Sequence, residues 1–308
     1  MHVPDARVDA LAELTGSAKR SPPEVEFVDM ISMSADGKAQ SEEFAKRIQT
    51  ADAFAVVVGG IGADGTSLER DLRTVVDELV LSDRAQVQAR IERVRKEVGR
   101  GKKEAAGELP KLEVLRSALD NGRQLRLADR TREMLPSFSG YGFLTAHHML
   151  AVFNRPQSLA GQVDSACGAR AAELGMSALC LDAALERDLL EIEPDERELF
   201  MEAEGLDALA GPRVIRAAFA LLRLVTFYTV SDKETRAMPV PRGTTAYEAA
   251  GKVHTDIQRG FVRAEVVAFG PFVEGGGWSG AKSAGKFRLE GRDYVMQDGD
   301  VAHFRFTS

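Results

Sequence analysis

Cysteine is scarce in this chain: Cys167 and Cys180 are the only two among 308 residues. Two thiols are too few for a disulfide framework or a four-ligand zinc site. Both stand among apolar neighbours, the setting of buried and inert thiols. No run of about 18 apolar residues occurs, so no membrane-spanning helix is expected. The start, MHVPDARVDALAEL, has neither the basic beginning nor the apolar core of a secretion signal. G-x-S-x-G, C-x-x-C and H-E-x-x-H are missing, which removes the common signatures of α/β-hydrolases, dithiol redox proteins and zinc peptidases. Positive charge is in deficit, with 40 Lys and Arg against 47 Asp and Glu and a net charge of −7. A surface that is a nucleic-acid footprint all over is therefore excluded. The expectation is a cytoplasmic monomer with neither DNA nor membrane as partner.

The charge is unevenly spread. From Arg90 to Lys111 there are eight basic residues against four Glu, whereas from Glu186 to Asp207 there are ten acidic residues against Arg187 and Arg197. A basic tip and an acidic belt in one chain permit local contact with RNA. Four apolar runs read as strands. Val25–Met30 follows Pro22-Pro23 and carries Asp29 near its end; Ala53–Val58 is uniformly apolar; Met149–Phe153 and Met176–Leu181 are similar. Helical spacing separates them over Glu42–Thr50 and Leu159–Leu174, which predicts an open, mostly parallel α/β sheet. Leu68–Val98 keeps Leu72, Val76, Leu79, Val80, Val87, Ile91 and Val94 at helical spacing. Gly99–Lys103 is a basic turn, and Glu104–Leu119 returns with Pro110 kinking or restarting it, so an antiparallel helical hairpin is expected. Val214–Val225 reads as the last helix of the sheet domain.

At the C-terminal end, Gly243 is a turn residue, Thr244 an N-cap candidate, and Thr245–His254 a short helix with Ala246, Ala249, Ala250 and Val253 on one face. Phe261–Phe269 alternates as a strand. In the last strand Ala302, Phe304 and Phe306 share one side, and Val301, His303 and Arg305 the other. A small mixed sheet gripping one helix, a ubiquitin-like β-grasp unit, is the expected result. Two blocks, GTTAYEAAGKVHTDIQRGFVRAEV and GKFRLEGRDYVMQDGDVAHFRF, closely resemble the C-terminal TGS-type domain of the YchF/Obg-like ATPase family of P-loop NTPases. RDLRTVVDELVLSDRAQVQARIERV resembles the helical domain that the same family inserts in its nucleotide-binding domain. The resemblance implies an incomplete Ras-like parallel sheet domain (residues 1–67 and 137–225), a helical hairpin insertion (68–136) and a TGS-type β-grasp domain (226–308).

It also implies ATP or GTP with Mg²⁺ as the family's cofactor, and a set of degenerate positions to hold it. The family's P-loop follows its first strand; this chain begins with a block that resembles what the family carries after its second strand, so the first strand, the P-loop, its helix and the first switch are expected to be missing. The near match Gly280-Ala-Lys-Ser-Ala-Gly-Lys-Phe287 has Phe287 where a hydroxyl is required and no buried strand leading in, so it is not a nucleotide site. Asp29 stands in the position of the Mg²⁺-ordering aspartate, and Ser32 replaces the glycine that contacts the γ-phosphate. Asn154 and Gln157 occupy the base-recognition loop, and Asp182 replaces the lysine that backs the base. No catalytic residue is identified. His254, ending a helix, is read as satisfying its terminal carbonyls.

A missing central strand leaves two buried rows of backbone groups, at about 1–3 kcal/mol for each orphan. The flanking strands must then pair directly, another segment must fill the gap, or a partner must supply a strand. The function expected is a degenerate YchF-like NTPase acting as a ribosome- or RNA-associated regulatory or binding module. Its RNA contacts would be Arg93, Arg95, Lys96, Arg100, Lys102 and Lys103, with Arg288, Arg292, His303 and Arg305 as a second basic surface. The alternative is an active ATPase or GTPase whose P-loop lies upstream of a misassigned start.

Overall fold

Residues 1–29, 50–59, 67–206 and 208–307 are described by the computed structural model. In chain order the elements are α1 (Ala6–Thr15), β1 (Lys19–Ser21), β2 (Ala53–Gly59), α2 (Leu68–Gly99), α3 (Leu109–Asp120), β3 (His148–Asn154), α4 (Asp164–Glu173), β4 (Ser177–Leu181), α5 (Ala183–Leu190) and α6 (Pro194–Ala203). Then follow α7 (Ala210–Leu221), β5 (Leu224–Val230), β6 (Glu234–Pro241), α8 (Ala246–Val253), β7 (Phe261–Ala268), β8 (Arg288–Glu290) and β9 (Asp300–Phe306). They form two compact units, Met1–Val28 with Gly211–Ser308, and Asp29–Ala210.

In the unit of residues 29–210, β2, β3 and β4 make a parallel sheet in that order. The expected α/β sheet is thus present. β3 is buried from Met149 to Phe153, as a parallel strand covered on both faces must be. The 32-residue α2 serves two cores in succession. Leu68, Leu72, Val76 and Leu79 pack with Met149, Ala151 and Phe153 of β3 and Cys167 and Ala171 of α4. From Val80 onward, Val87, Ile91 and Val94 pack with Leu112, Leu115 and Leu119 of α3, the expected hairpin. The return helix restarts at Leu109, with Pro110 in the first turn where its missing N–H costs nothing.

Asp83 sits where α2 passes from one core to the other. Its carboxylate accepts from the Leu144 N–H (2.8 Å), the Thr145 N–H (2.8 Å) and the Thr145 hydroxyl (2.5 Å), pinning the long helix to the segment that leads into β3. Burial pushes its pKa up to about 6, against the pull of those three bonds. Arg126 is also buried, and donates to the carbonyls of Gly175 (2.8 Å) and Leu174 (3.1 Å) just past α4. A cation at a helix C-terminus is stabilised by the dipole without a carboxylate partner.

The second unit is a six-stranded mixed sheet in the order β1-β6-β5-β9-β7-β8. Alternation sends Phe227, Val266, Ala302 and Phe304 to one face, where α8 lays Ala246, Ala249 and Ala250 against them. Thr245 and Glu248 form the capping box that starts α8, so the cap is Thr245 and not Thr244. The intervening residues Tyr228, Val267 and Val301 face the opposite side, where Val8 and Leu11 of α1 and Phe272 and Ala281 cover them. Val301 is therefore buried although it alternates with exposed His303 and Arg305, and Phe306, at the strand end, is exposed despite facing with Phe304.

The expected boundaries placed residues 1–67 with the parallel sheet, yet Met1–Val28 packs with the C-terminal unit. The reason is that second apolar face, which needs α1 as cover. Asp5 caps α1 and accepts from Arg7 Nε (3.0 Å) and the Tyr228 hydroxyl (2.5 Å), while Arg7 Nη1 reaches Asp298 (2.7 Å). Burial would raise the Asp5 carboxyl, but the Arg7 and Tyr228 hydrogen bonds hold it below the usual carboxylate range. Its contribution is present above about pH 4 and is lost as pH falls through the lowered folded value. Tyr228→Phe is expected to destabilise this unit by about 1–2 kcal/mol at pH 7 and by less at pH 3, read from urea unfolding at both pH values.

One strand expectation and two helix expectations change. The strand expected over Val25–Met30 is not one over its described residues, Val25–Asp29: Val25 exchanges backbone bonds with Met1 (2.9 and 2.8 Å), and Phe27 and Val28 stay exposed. Direct pairing of that segment with β2 is thus not what completes the sheet; among the described residues β2 pairs with β3 alone. The helix expected over Val214–Val225 lies instead at Ala210–Leu221, and Val225 belongs to β5. The predicted helix over 159–174 begins at Asp164, after a short turn. The segment Glu42–Gln49 falls outside the described residues.

Candidate functional site

Gly59, Asn154 and Leu181 end β2, β3 and β4 in register. Crevices outside the carboxyl ends of parallel strands are where α/β sheets bind ligands. Here the predicted base-recognition residues meet, and each is engaged by its own chain. Asn154 Oδ1 accepts the Ala183 N–H (3.0 Å). Asp182 is the N-cap of α5: Oδ1 accepts from Ala184 (3.0 Å) and Leu185 (3.1 Å), and Oδ2 accepts the Gln157 N–H (2.8 Å). Gln157 Oε1 accepts from Arg155 Nη1 (3.2 Å), while Nε2 donates to the Glu204 carbonyl at the end of α6 (3.0 Å).

Arg155 organises the loop, though nothing in the sequence singled it out. Its guanidinium is 6% exposed and grips Asp164 through two bonds of 2.7 Å, closing the turn between β3 and α4. That hydrogen bonding holds the Asp164 carboxyl below its usual range, and raises the Arg155 guanidinium. Burial first, then the Asp164 charge, pushes the Cys180 thiol up to about 12, so it is no nucleophile at neutral pH. A bidentate pair nine residues apart gives no periodic signal, and its presence follows only once β3 and α4 are placed.

The remaining predicted residues lie apart from this loop. Asp29 is exposed and outside any strand. Among the described residues no three His, Cys, Asp or Glu are grouped to hold a metal ion. Ser32 lies outside the described residues. Gly280 lies in the helix Trp278–Ser283, where an added Cβ would fall 1.7 Å from the Gly275 carbonyl oxygen, so close backbone packing and not phosphate binding requires glycine there. His254 serves both neighbours: its backbone N–H donates to the Ala250 carbonyl of the helix it ends (3.1 Å), while its side-chain Nδ1 accepts the Asp256 N–H (3.2 Å) and caps the next short helix, Thr255–Arg259.

The basic tip is the C-terminal end of α2 and its turn, with Arg93, Arg95, Lys96, Arg100 and Lys102 all exposed. Arg95 pairs with Glu113 (2.9 Å); Lys96, Arg100 and Lys102 have no ion pair among the described residues. The Lys103 side chain lies outside the described residues. The second basic surface is largely neutralised: Arg305 and His303 face Glu265 (2.9 and 3.4 Å), and Arg288 reaches Asp300 (3.3 Å). Arg292 lies over the Tyr247 ring at 4.7 Å.

Residues 224–307 match a family model described as YchF-GTPase_C, a protein of unknown function. Across 99% of its length the chain is 36% identical to the ribosome-binding ATPase YchF of Haemophilus influenzae and 35% identical to that of Pasteurella multocida, spanning 87% of each. It is 33% identical to the protein of the same name from Bacillus subtilis, over 100% of this chain and 88% of that protein. The fold matches the YchF GTPase of Schizosaccharomyces pombe with a TM-score of 0.79 at 23% identity, covering 99% of this chain and 86% of the other.

Proposed function

Since the chain belongs to the YchF family, we propose that it is a cytoplasmic, ribosome-associated binding or regulatory module that does not turn over nucleotide. The observation that carries this reading is the closure of the base-recognition loop. Asn154, Gln157 and Asp182 direct their polar atoms to Ala183, Glu204, Arg155 and the first turn of α5. An entering base would have to displace several of these bonds, each a net loss of about 0.5–1.5 kcal/mol that its own contacts must offset. Asp182 is fixed as an N-cap and brings a carboxylate where the family brings a lysine. The 308 residues contain no G-x-x-x-x-G-K-[ST] to cradle phosphates. Asp29, exposed and in no group of three candidate ligands among the described residues, is a poor holder of Mg²⁺. The residues present thus do not fit a tightly bound Mg²⁺-nucleotide, and no hydrolytic step is assigned.

The relatives' names describe ribosome binding. Support for the same partner here comes from Lys96, Arg100 and Lys102, exposed cations at the tip of a helical hairpin and available to phosphates. Calorimetry with ATP and with GTP, each with Mg²⁺, is expected to show no saturable binding at micromolar concentration. Micromolar, Mg²⁺-dependent binding would overturn the non-hydrolysing part of the proposal and favour a working NTPase. Co-sedimentation with ribosomes is expected to fall steeply with salt, and to drop about tenfold in Arg100→Glu/Lys102→Glu. Unchanged co-sedimentation would remove the tip from the interface.

A further inference from the structure

The acidic belt between Glu186 and Asp207 carries an apolar ridge that the fold leaves uncovered. α6 has no buried residue. Leu199 is 67% exposed and Phe200 54%, and Leu190, at the end of neighbouring α5, is 61% exposed. Glu196, Leu199, Phe200 and Ala203 fall at the i, i+3, i+4, i+7 positions of one helical stripe, so the two large side chains project together. The attachment of α6 runs through other residues. Arg197 donates to the Leu189 (2.8 Å) and Ile192 (2.8 Å) carbonyls, capping α5, and the Glu204 carbonyl accepts from Gln157.

The two cations in the belt are already committed, Arg197 to those carbonyls and Arg187 to Asp188 at 2.8 Å. Among the described residues no other acid of α5 and α6 is in an ion pair. Isolated exposed apolar residues need no explanation; a pair of large ones on a helix with no core face, ringed by unneutralised carboxylates, does. The charge selects the partner. Nucleic acid and anionic lipid surfaces are repelled, and a second copy of the same face repels itself. A cationic segment with apolar anchors would gain both burial and charge neutralisation.

We propose that the α5–α6 ridge is a docking site for a Lys/Arg-rich amphipathic segment of another protein, its apolar side chains seated on Leu190, Leu199 and Phe200 and its cations on Glu196, within the stripe, and Glu202 at its flank. This surface is distinct from the basic tip and does not depend on nucleotide.

The test is fluorescence anisotropy of the full chain with a labelled helical peptide of leucine and lysine at amphipathic spacing. A second labelled peptide has every leucine replaced by serine. The leucine peptide is expected to bind in a salt-sensitive way, and the serine peptide at least about tenfold more weakly. Leu199→Ser/Phe200→Ser is expected to weaken the leucine peptide about tenfold, with the thermal midpoint unchanged because both side chains are exposed. Glu196→Lys/Glu202→Lys is expected to weaken it by as much through charge alone, which gives an arm independent of the apolar substitutions. Equal binding of the two peptides, or no effect of either variant, would overturn the proposal. So would sedimentation showing a dimer that Leu199→Ser/Phe200→Ser dissociates, since a second copy would then be the occupant.

Discussion

Asp83→Ala is expected to destabilise the unit of residues 29–210 by about 3 kcal/mol near pH 3, because two buried N–H groups and a hydroxyl lose their acceptor. Most of that difference is expected to be gone by pH 7.5. The sign follows from the raised folded pKa, about 6 against an unfolded value near 4. At low pH the carboxyl is neutral in both states, and its burial costs no charge. As pH rises through about 6 the folded chain must bury a carboxylate, and the stabilisation is withdrawn, by about 3 kcal/mol for a shift of about two units. Urea unfolding of both proteins at pH 3 and 7.5 checks it. A difference independent of pH would show that Asp83 ionises in the fold as readily as in the unfolded chain.

Gly59→Ala is expected to cost about 4 kcal/mol, the sum of backbone strain and forced separation of β2 from β3. Gly59 has φ +90°, a conformation that residues with a Cβ rarely adopt. A Cβ there would also stand 2.3 Å from the Asn154 carbonyl oxygen and 2.7 Å from Leu68 Cδ2. The strain falls on the residue that holds α5 through the Ala183 N–H. Two readouts test this together: the urea midpoint, and the Ala183 amide proton signal, which is expected to lose its protection. A stable variant with an unperturbed Ala183 signal would show that the β2 and β3 ends yield more easily than their packing implies.

Sequence reasoning reached the first helix of the hairpin almost to the residue, because α2 repeats an apolar residue every three or four positions over nine turns' worth of chain at about 3.6 residues per turn; the return helix, expected from Glu104, begins at Leu109. The continuous apolar strands β2, β3 and β4, and the alternation in β7 and β9, were legible for the same reason. The loop residues Asn154, Gln157 and Asp182 were found as positions, but not as groups already satisfied. Arg155 and Asp164 carried no recognisable spacing, and their pairing depends on where β3 ends and α4 begins. The strand expected at Val25–Met30 failed over its described residues because apolarity alone does not say which partner a segment will find; Met1 took the bonds of Val25.

Periodicity and motif blocks thus settled, from the chain alone, the class of each long element and the family they compose. Which face an amphipathic element covers depends on what else remains uncovered, and that is a property of the assembled fold. Tyr228, Val267 and Val301 required a lid, and α1 supplied it from the opposite end of the sequence. In the same way Asn154 and Asp182 became internal partners and not free ligands. Hydrogen bonds are short-ranged and directional, so their pairing is decided by placement to within an ångström, a precision no residue pattern carries.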